Sequence, residues 1–173
     1  MAATPLETLD HPPALTVAAL KTAELFALAT ARLWVARCLN PARAMPDWDG
    51  GFDVARLEPG TAGAFDALFR AIAAGARRDM EFHCPSCPCL AADELQYLRM
   101  LALFQQGRSL EATAILEDWL APSALRAALA PACRFATALT WAGLALPLRD
   151  HGGGVPKPAD CTFHAGSGAS LIH

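Results

Sequence analysis

Apolar positions recur along most of this chain with the spacing of helices. Between Thr61 and Asp79, Phe65, Leu68, Phe69 and Ile72 stand at i, i+3, i+4 and i+7, and Asp66, Arg70, Arg77 and Arg78 mark the wetter side. That is the signature of an amphipathic helix. Between Ala14 and Leu39 the pattern is apolar almost all round, with Lys21, Glu24 and Arg32 confined to a narrow stripe. Such a helix is expected at the centre of a bundle, and Asn40-Pro41 stops it because proline cannot continue the hydrogen-bond ladder.

A third helix is predicted from Ala91 to Gln106. Asp93 and Glu94 lie in its first turn, where the helix dipole favours carboxylates, and Gly107 serves as its C-terminal stop. A fourth, from Leu110 to Leu120, places Ala112, Ile115, Leu116, Trp119 and Leu120 on one face. Pro122 opens a fifth in the first-turn position that proline tolerates, and apolar residues run on to Leu146, with Pro131 expected to bend or split the helix. Trp34, Trp119 and Trp141 fall inside helices and read as core anchors, whereas Trp48 reads as a surface contact.

The segments between are of two kinds. Residues 41–60, with three prolines and Gly50-Gly51, predict an irregular connection anchored by Trp48 and Phe52. Residues 150–173 are glycine-rich without periodicity and predict a flexible tail. No strand pattern stands out. The expectation is an all-α fold: a single-domain bundle of about five helices over residues 1–149, followed by the Gly-rich C-terminal tail.

The stretch "QQGRSLEATAILEDWL", residues 105–120, resembles the second half of a tetratricopeptide repeat, with Gly107 and Ala112 in the places of that family's turn glycine and its following alanine. Arg99 and Met100 depart from the family's first helix, and no second copy follows at a period of 34 residues. The resemblance implies a helical hairpin here and no repeat array.

Composition narrows the function classes. Hydrophobic residues make up 54% of the 173 and charged residues 18%, which belongs to a folded chain and not a disordered one. A formal net charge of −3 offers no electrostatic drive toward phosphate backbones, so nucleic acid is not an expected partner. Charges at Lys21, Glu24, Arg32 and Arg37 break the longest apolar run, each costing about 2.5–3.5 kcal/mol at mid-membrane, and Phe135–Leu148 is short for a span. Met1–Pro13 carries Glu7 and Asp10 but no basic n-region. A cytoplasmic protein with reduced cysteines is expected.

One segment could carry chemistry. "FHCPSCPCL", residues 82–90, holds three of the six cysteines and two of the thirteen prolines. Cys84, Cys87, Cys89 and the adjoining His83 are ligand types that zinc or an iron–sulfur cluster takes. Against this, Pro88 occupies the place where a zinc knuckle has glycine, and no second C-x2-C occurs, so a fourth ligand falls to His83, Cys38, Cys133, Cys161 or His164. Cys84 and Cys87 also have the spacing of a dithiol redox pair. On an all-α fold this pair resembles the helical disulfide reductases of the alkylhydroperoxidase type, but Ala91 stands where that family has its relay histidine. His11, His151, His164 and His173 lie toward the termini. Asp93 and Glu94 read as first-turn helix residues, and "HGGGV" at 151–155 lacks the Lys-Ser/Thr of a phosphate loop.

The leading expectation is therefore a non-enzymatic binding, adaptor or regulatory protein with a protein partner or self-association, no assigned catalytic residue and no resident cofactor. A metal protein using Cys84, Cys87, Cys89 and His83 is the first alternative, and a thiol–disulfide oxidoreductase using Cys84 and Cys87 the second. If the segment is only a bend, Pro85 and Pro88 stiffen it while Phe82 and Leu90 pin it to the bundle.

Overall fold

The computed structural model describes residues 15–42 and 44–149, together with the backbone of 169–170. A 3-10 turn, Val17–Ala19, precedes helix α1, Thr22–Leu39. There follow α2, Gly50–Val54; α3, Thr61–Gly75; strand β1, Glu81–Phe82; α4, Ala92–Gln105; α5, Ser109–Trp119; α6, Pro122–Trp141; and strand β2, Ala169–Ser170. The all-α expectation holds. No described helix is long and apolar enough to cross a membrane.

The periodic positions do what their spacing predicts. Phe65, Leu68, Phe69 and Ile72 of α3 are fully buried, and so are Ala128, Ala132, Phe135 and Leu139 of α6. These two helices form the most extensive pair in the bundle. They converge at Gly75, where an added Cβ would lie 2.0 Å from the Cβ of Ala124. Backbone bonds seal the junction: Ala121 N–H donates to the Gly75 carbonyl at 2.9 Å, and Arg77 N–H to that of Trp119 at 2.7 Å.

The α4–α5 hairpin turns at Gly107, whose φ of 73° suits glycine, as the repeat-like stretch implied. Leu98, Leu101, Leu116 and Trp119 are buried in it, and Ile115 is half-buried. An aromatic chain runs through the core. Phe135 packs on Phe65, Phe65 on Phe69, and Phe69 on both Phe82 and Tyr97, with centroids 4.7–5.7 Å apart, separations at which offset and edge-to-face rings attract. Phe82 thereby carries the entrance of the cysteine segment into the core.

Several expectations need correction. The 41–60 connection contains a short helix, α2, which seats Phe52 against Phe26, Trp48 and Phe65. The predicted helix over Thr61–Asp79 ends at Gly75, because residues 76–77 turn to pair with the α5–α6 junction. The fifth helix passes through Pro131 unsplit and stops at Trp141, with Gly143 at φ 75° just beyond. Trp141 is 70% exposed and is no core anchor. It sits about 200° around the helix from Leu139, so the buried face passes it by. Arg32 and Glu24 do not form a wet stripe; they are 2% and 1% exposed.

A strand pair exists where none was expected. Glu81 and Phe82 pair antiparallel with Ser170 and Ala169. The flexible-tail expectation otherwise falls outside the described residues, as do Cys161, His11, His151, His164 and His173.

Candidate functional site

The cysteine segment is a loop tied down at its backbone from both sides. Its entry is held by Asp93, whose carboxylate accepts Glu81 N–H at 2.8 Å while pairing with both terminal nitrogens of Arg78 at 2.7 and 2.9 Å. Next, Glu94 accepts His83 N–H at 2.9 Å and, as the third residue of α4, reaches back to Ala91 N–H at 2.8 Å. The exit is held by Arg32. Its Nη1 donates to the Cys87 carbonyl and its Nη2 to that of Cys89, each at 2.6 Å.

Arg32 and Glu94 complete the arrangement by pairing with each other, Nε to Oε1 at 2.7 Å and Nη2 to Oε2 at 2.8 Å. Both side chains are buried, at 2% and 0% exposure. A buried charge is costly unless paired and fully hydrogen-bonded. Here each is satisfied by the other and by loop backbone. A fully buried ion pair is thus committed to fixing one loop. This finding modifies the helix-dipole reading of Asp93 and Glu94: the N-terminal location stands, but their main partners are the loop and two arginines.

Within that frame, Cys84 and Cys87 end a hydrogen-bonded turn, Cys87 N–H to the Cys84 carbonyl at 3.0 Å, with Pro85 and Ser86 at its centre. Residues at the two ends of such a turn lie within about 7 Å at Cα, overlapping the span a disulfide bridges. Both thiols are free and half-buried. The Cys87 sulfur lies 3.6 Å from His83 Nδ1, and His83 Nε2 lies 3.2 Å from Glu81 Oε1. His83 Nδ1 also faces the Cys89 carbonyl at 3.1 Å, an atom that can only accept. Both ring nitrogens therefore lie beside atoms that can accept a hydrogen bond. The Cys84 sulfur is turned elsewhere, 3.6 Å from the Ser86 hydroxyl.

Comparison with known proteins matches the chain to no family model, no curated protein and no solved structure.

The four sequence-predicted ligands thus divide. His83 and Cys87 are brought together; Cys84 is one turn away; Cys89 is engaged in a disulfide. That bond corrects the expectation that all six cysteines are reduced. Among the described residues no three His, Cys, Asp or Glu side chains gather where they could share a metal ion. The flanking anchors behave as expected, with Phe82 fully buried and Leu90 5% exposed. Arg32 was missed as a site residue. Its signal was present: an arginine inside an otherwise apolar helix is seldom buried without a partner.

Open clefts among the described residues include two away from this loop. One, of about 220 Å³, runs between residues 58–64 and α6 and is lined by Cys133, Arg134 and Trp141. The other, of about 320 Å³, is walled by Trp34, Trp48, Cys38 and Arg70. Its cations are already matched, Arg70 to Asp66 at 2.6 Å and Arg37 to Asp47 at 3.1 Å.

Proposed function

We propose that the cysteine loop is the working site of this protein and that Cys87 and Cys84 carry out thiol–disulfide exchange. The observation that supports this most is the Cys87–His83 contact on a loop whose carbonyls are fixed by a buried arginine. A bend alone needs neither the imidazole nor the ion pair. The contact also supplies what the position of Ala91 withholds, a ring nitrogen beside a thiol. The compartment we propose is the cytoplasm, where a disulfide such as the one at Cys89 is rare and, when present, characteristically catalytic or redox-sensing.

The reaction proceeds in two displacements. The Cys87 thiolate, held by the donating His83 ring, attacks one sulfur of a substrate disulfide and forms a mixed disulfide. The departing thiolate takes a proton from His83. Cys84 then gives its proton to the ring and attacks the Cys87 sulfur, closing a Cys84–Cys87 disulfide and releasing the second substrate thiolate, which that proton neutralises. Two electrons and two protons pass from the dithiol to the substrate. Glu81 orients the ring through Nε2.

The test is reduction of a small aromatic disulfide by the full chain. Cys87→Ser is expected to abolish turnover, Cys84→Ser to accumulate the mixed disulfide, and His83→Ala to slow the first displacement by about tenfold or more. Undiminished turnover in Cys87→Ser would defeat the reading. Stoichiometric zinc or iron released on loss of Cys84 and Cys87 would replace it with the metal alternative.

A second reading, self-association, is favoured by Trp141, a large aromatic side chain left 70% exposed beside a cleft. Tryptophan is enriched in interface cores. Sedimentation at rising concentration is expected to show a dimer that Trp141→Ser dissolves; a monomer throughout would remove this reading.

A further inference from the structure

We infer that a second copy of this chain docks on the outer face of α6, each copy's Trp141 entering the other's cleft and each Arg134 pairing with the partner's Glu58. The inference rests on the self-association reading above and gives it a surface and a symmetry.

Helix geometry defines the face. Cys133, Arg134, Thr137 and Trp141 stand at i, i+1, i+4 and i+8, within an arc of about 100°. That arc lies opposite Ala128, Ala132, Phe135 and Leu139, the positions buried in the core. The four outer residues form one wall of the cleft of about 220 Å³, and residues 58–64 form the other. Trp141 stands at its edge with 70% of its surface in solvent. Burying a tryptophan removes about 150–250 Å² from water, so a surface docked here would recover a large apolar contribution that the single chain forgoes.

The charges of the cleft indicate which surface docks. Glu58 stands on one wall and Arg134 on the other, and both are exposed. Neither side chain has an ion-pair or hydrogen-bond partner among the described residues. The cleft beside Trp48 differs, because Arg37 and Arg70 there are matched by Asp47 and Asp66. A two-fold interface brings one patch against itself, so each group must meet its complement on the same patch. An unpaired carboxylate facing an unpaired guanidinium, and an exposed indole beside an open cleft, satisfy that condition. A uniformly acidic or uniformly basic partner would instead set Glu58 or Arg134 against its own sign. Arg126 shares the outer face but lies about 12 Å nearer the start of α6, outside the cleft and at the rim of the contact. A 20-residue helix is about 30 Å long, and with the 58–64 wall it offers a patch at the low end of specific interfaces. The dimer is therefore expected to be weak, with a Kd on the order of micromolar or above.

The test is sedimentation equilibrium of the full chain at low salt, with Glu58→Arg, Arg134→Glu and the double exchange alongside the parent. Each single reversal sets like charges together twice per dimer and is expected to raise the dimer Kd about tenfold or more. The double exchange restores both pairs and is expected to return Kd to within about threefold of the parent. Because recovery requires a folded chain, the double variant also controls for misfolding of the single ones. A parent dimer that neither reversal weakens would overturn this face and leave self-association standing. Weakening by both reversals without recovery in the double exchange would overturn the Glu58–Arg134 pairing. A monomeric parent at every concentration would remove the inference and the self-association reading together, and would leave the face to a different molecule.

Discussion

Arg32 and Glu94 stand 62 residues apart in sequence and meet in the core through two hydrogen bonds of 2.7 and 2.8 Å. Each also binds backbone of the cysteine loop, so the pair joins α1, α4 and the loop at a single point. Removing one partner strands the other without solvent, which for buried pairs costs about 3–5 kcal/mol. Arg32→Met is expected to destabilise by that amount in denaturant unfolding. The double variant Arg32→Met/Glu94→Gln should lose clearly less than the sum of the single changes. Because Arg32 also holds the Cys87 carbonyl, the single variant should alter the alkylation rate of Cys87 and leave that of Cys133 unchanged. Additive losses, or an unchanged Cys87 rate, would separate the ion pair from the loop.

Gly75 tests how closely α3 and α6 approach. A Cβ there meets the Ala124 Cβ at 2.0 Å, and neither atom belongs to a flexible side chain that could swing aside. Gly75→Ala is expected to cost about 1–3 kcal/mol or more, as overpacking does, despite alanine's better helix propensity. Ala124→Gly should recover part of the loss. If Gly75→Ala raised Tm, the helices would have to be further apart here.

How much of this could be read in the chain follows from where each signal resides. The helix faces were legible because burial repeats locally: Phe65 to Ile72, and Leu98 to Trp119 across the Gly107 turn. The site was legible as a cluster of residue types at 83–89, since those side chains are near neighbours along the chain. Its scaffold was not. Arg32 donates to atoms 55, 57 and 62 residues away, and no local pattern encodes that distance. Trp141 was misread for a different reason. Its place in an apolar run outweighed its angle, which lies opposite the 128–132–135–139 face. The short helix at 50–54 was hidden by Gly50-Gly51, two residues of poor helix propensity that the packing of Phe52 overrides.

Tyr97 makes a prediction of the opposite sign. Its ring is fully buried against Phe69 and Phe82, yet its hydroxyl finds no hydrogen-bond partner among the described residues. Burial pushes its pKa well above the usual tyrosine value, so it stays neutral. An unsatisfied buried hydroxyl carries a desolvation cost that phenylalanine escapes. Tyr97→Phe is expected to leave stability unchanged or raise it by up to about 1 kcal/mol, measured by chemical denaturation. A loss above about 1 kcal/mol would reveal a partner for the hydroxyl.

Glu24 links the end of the described bundle to its beginning, and it makes stability depend on pH. Its carboxylate accepts Arg149 Nε at 2.6 Å, Arg149 Nη2 at 2.8 Å and Lys21 N–H at 2.8 Å. Burial alone raises its pKa, but the Arg149 and Lys21 hydrogen bonds, with the charges of both residues, outweigh burial and leave it below the ordinary carboxylate value. A depressed folded pKa means the unfolded chain binds the proton more readily. The contribution is therefore fully present above the ordinary value of 4.5 and is lost as pH falls through the lower, folded one. Glu24→Gln is expected to lower stability at pH 7 and to flatten its decline between pH 5 and pH 3. Arg149→Met should do the same, because without the guanidinium the carboxylate loses its main reason to stay ionised. Urea midpoints taken across that range check both variants. Parallel pH profiles for the parent and Glu24→Gln would show that the acid sensitivity arises at another carboxylate.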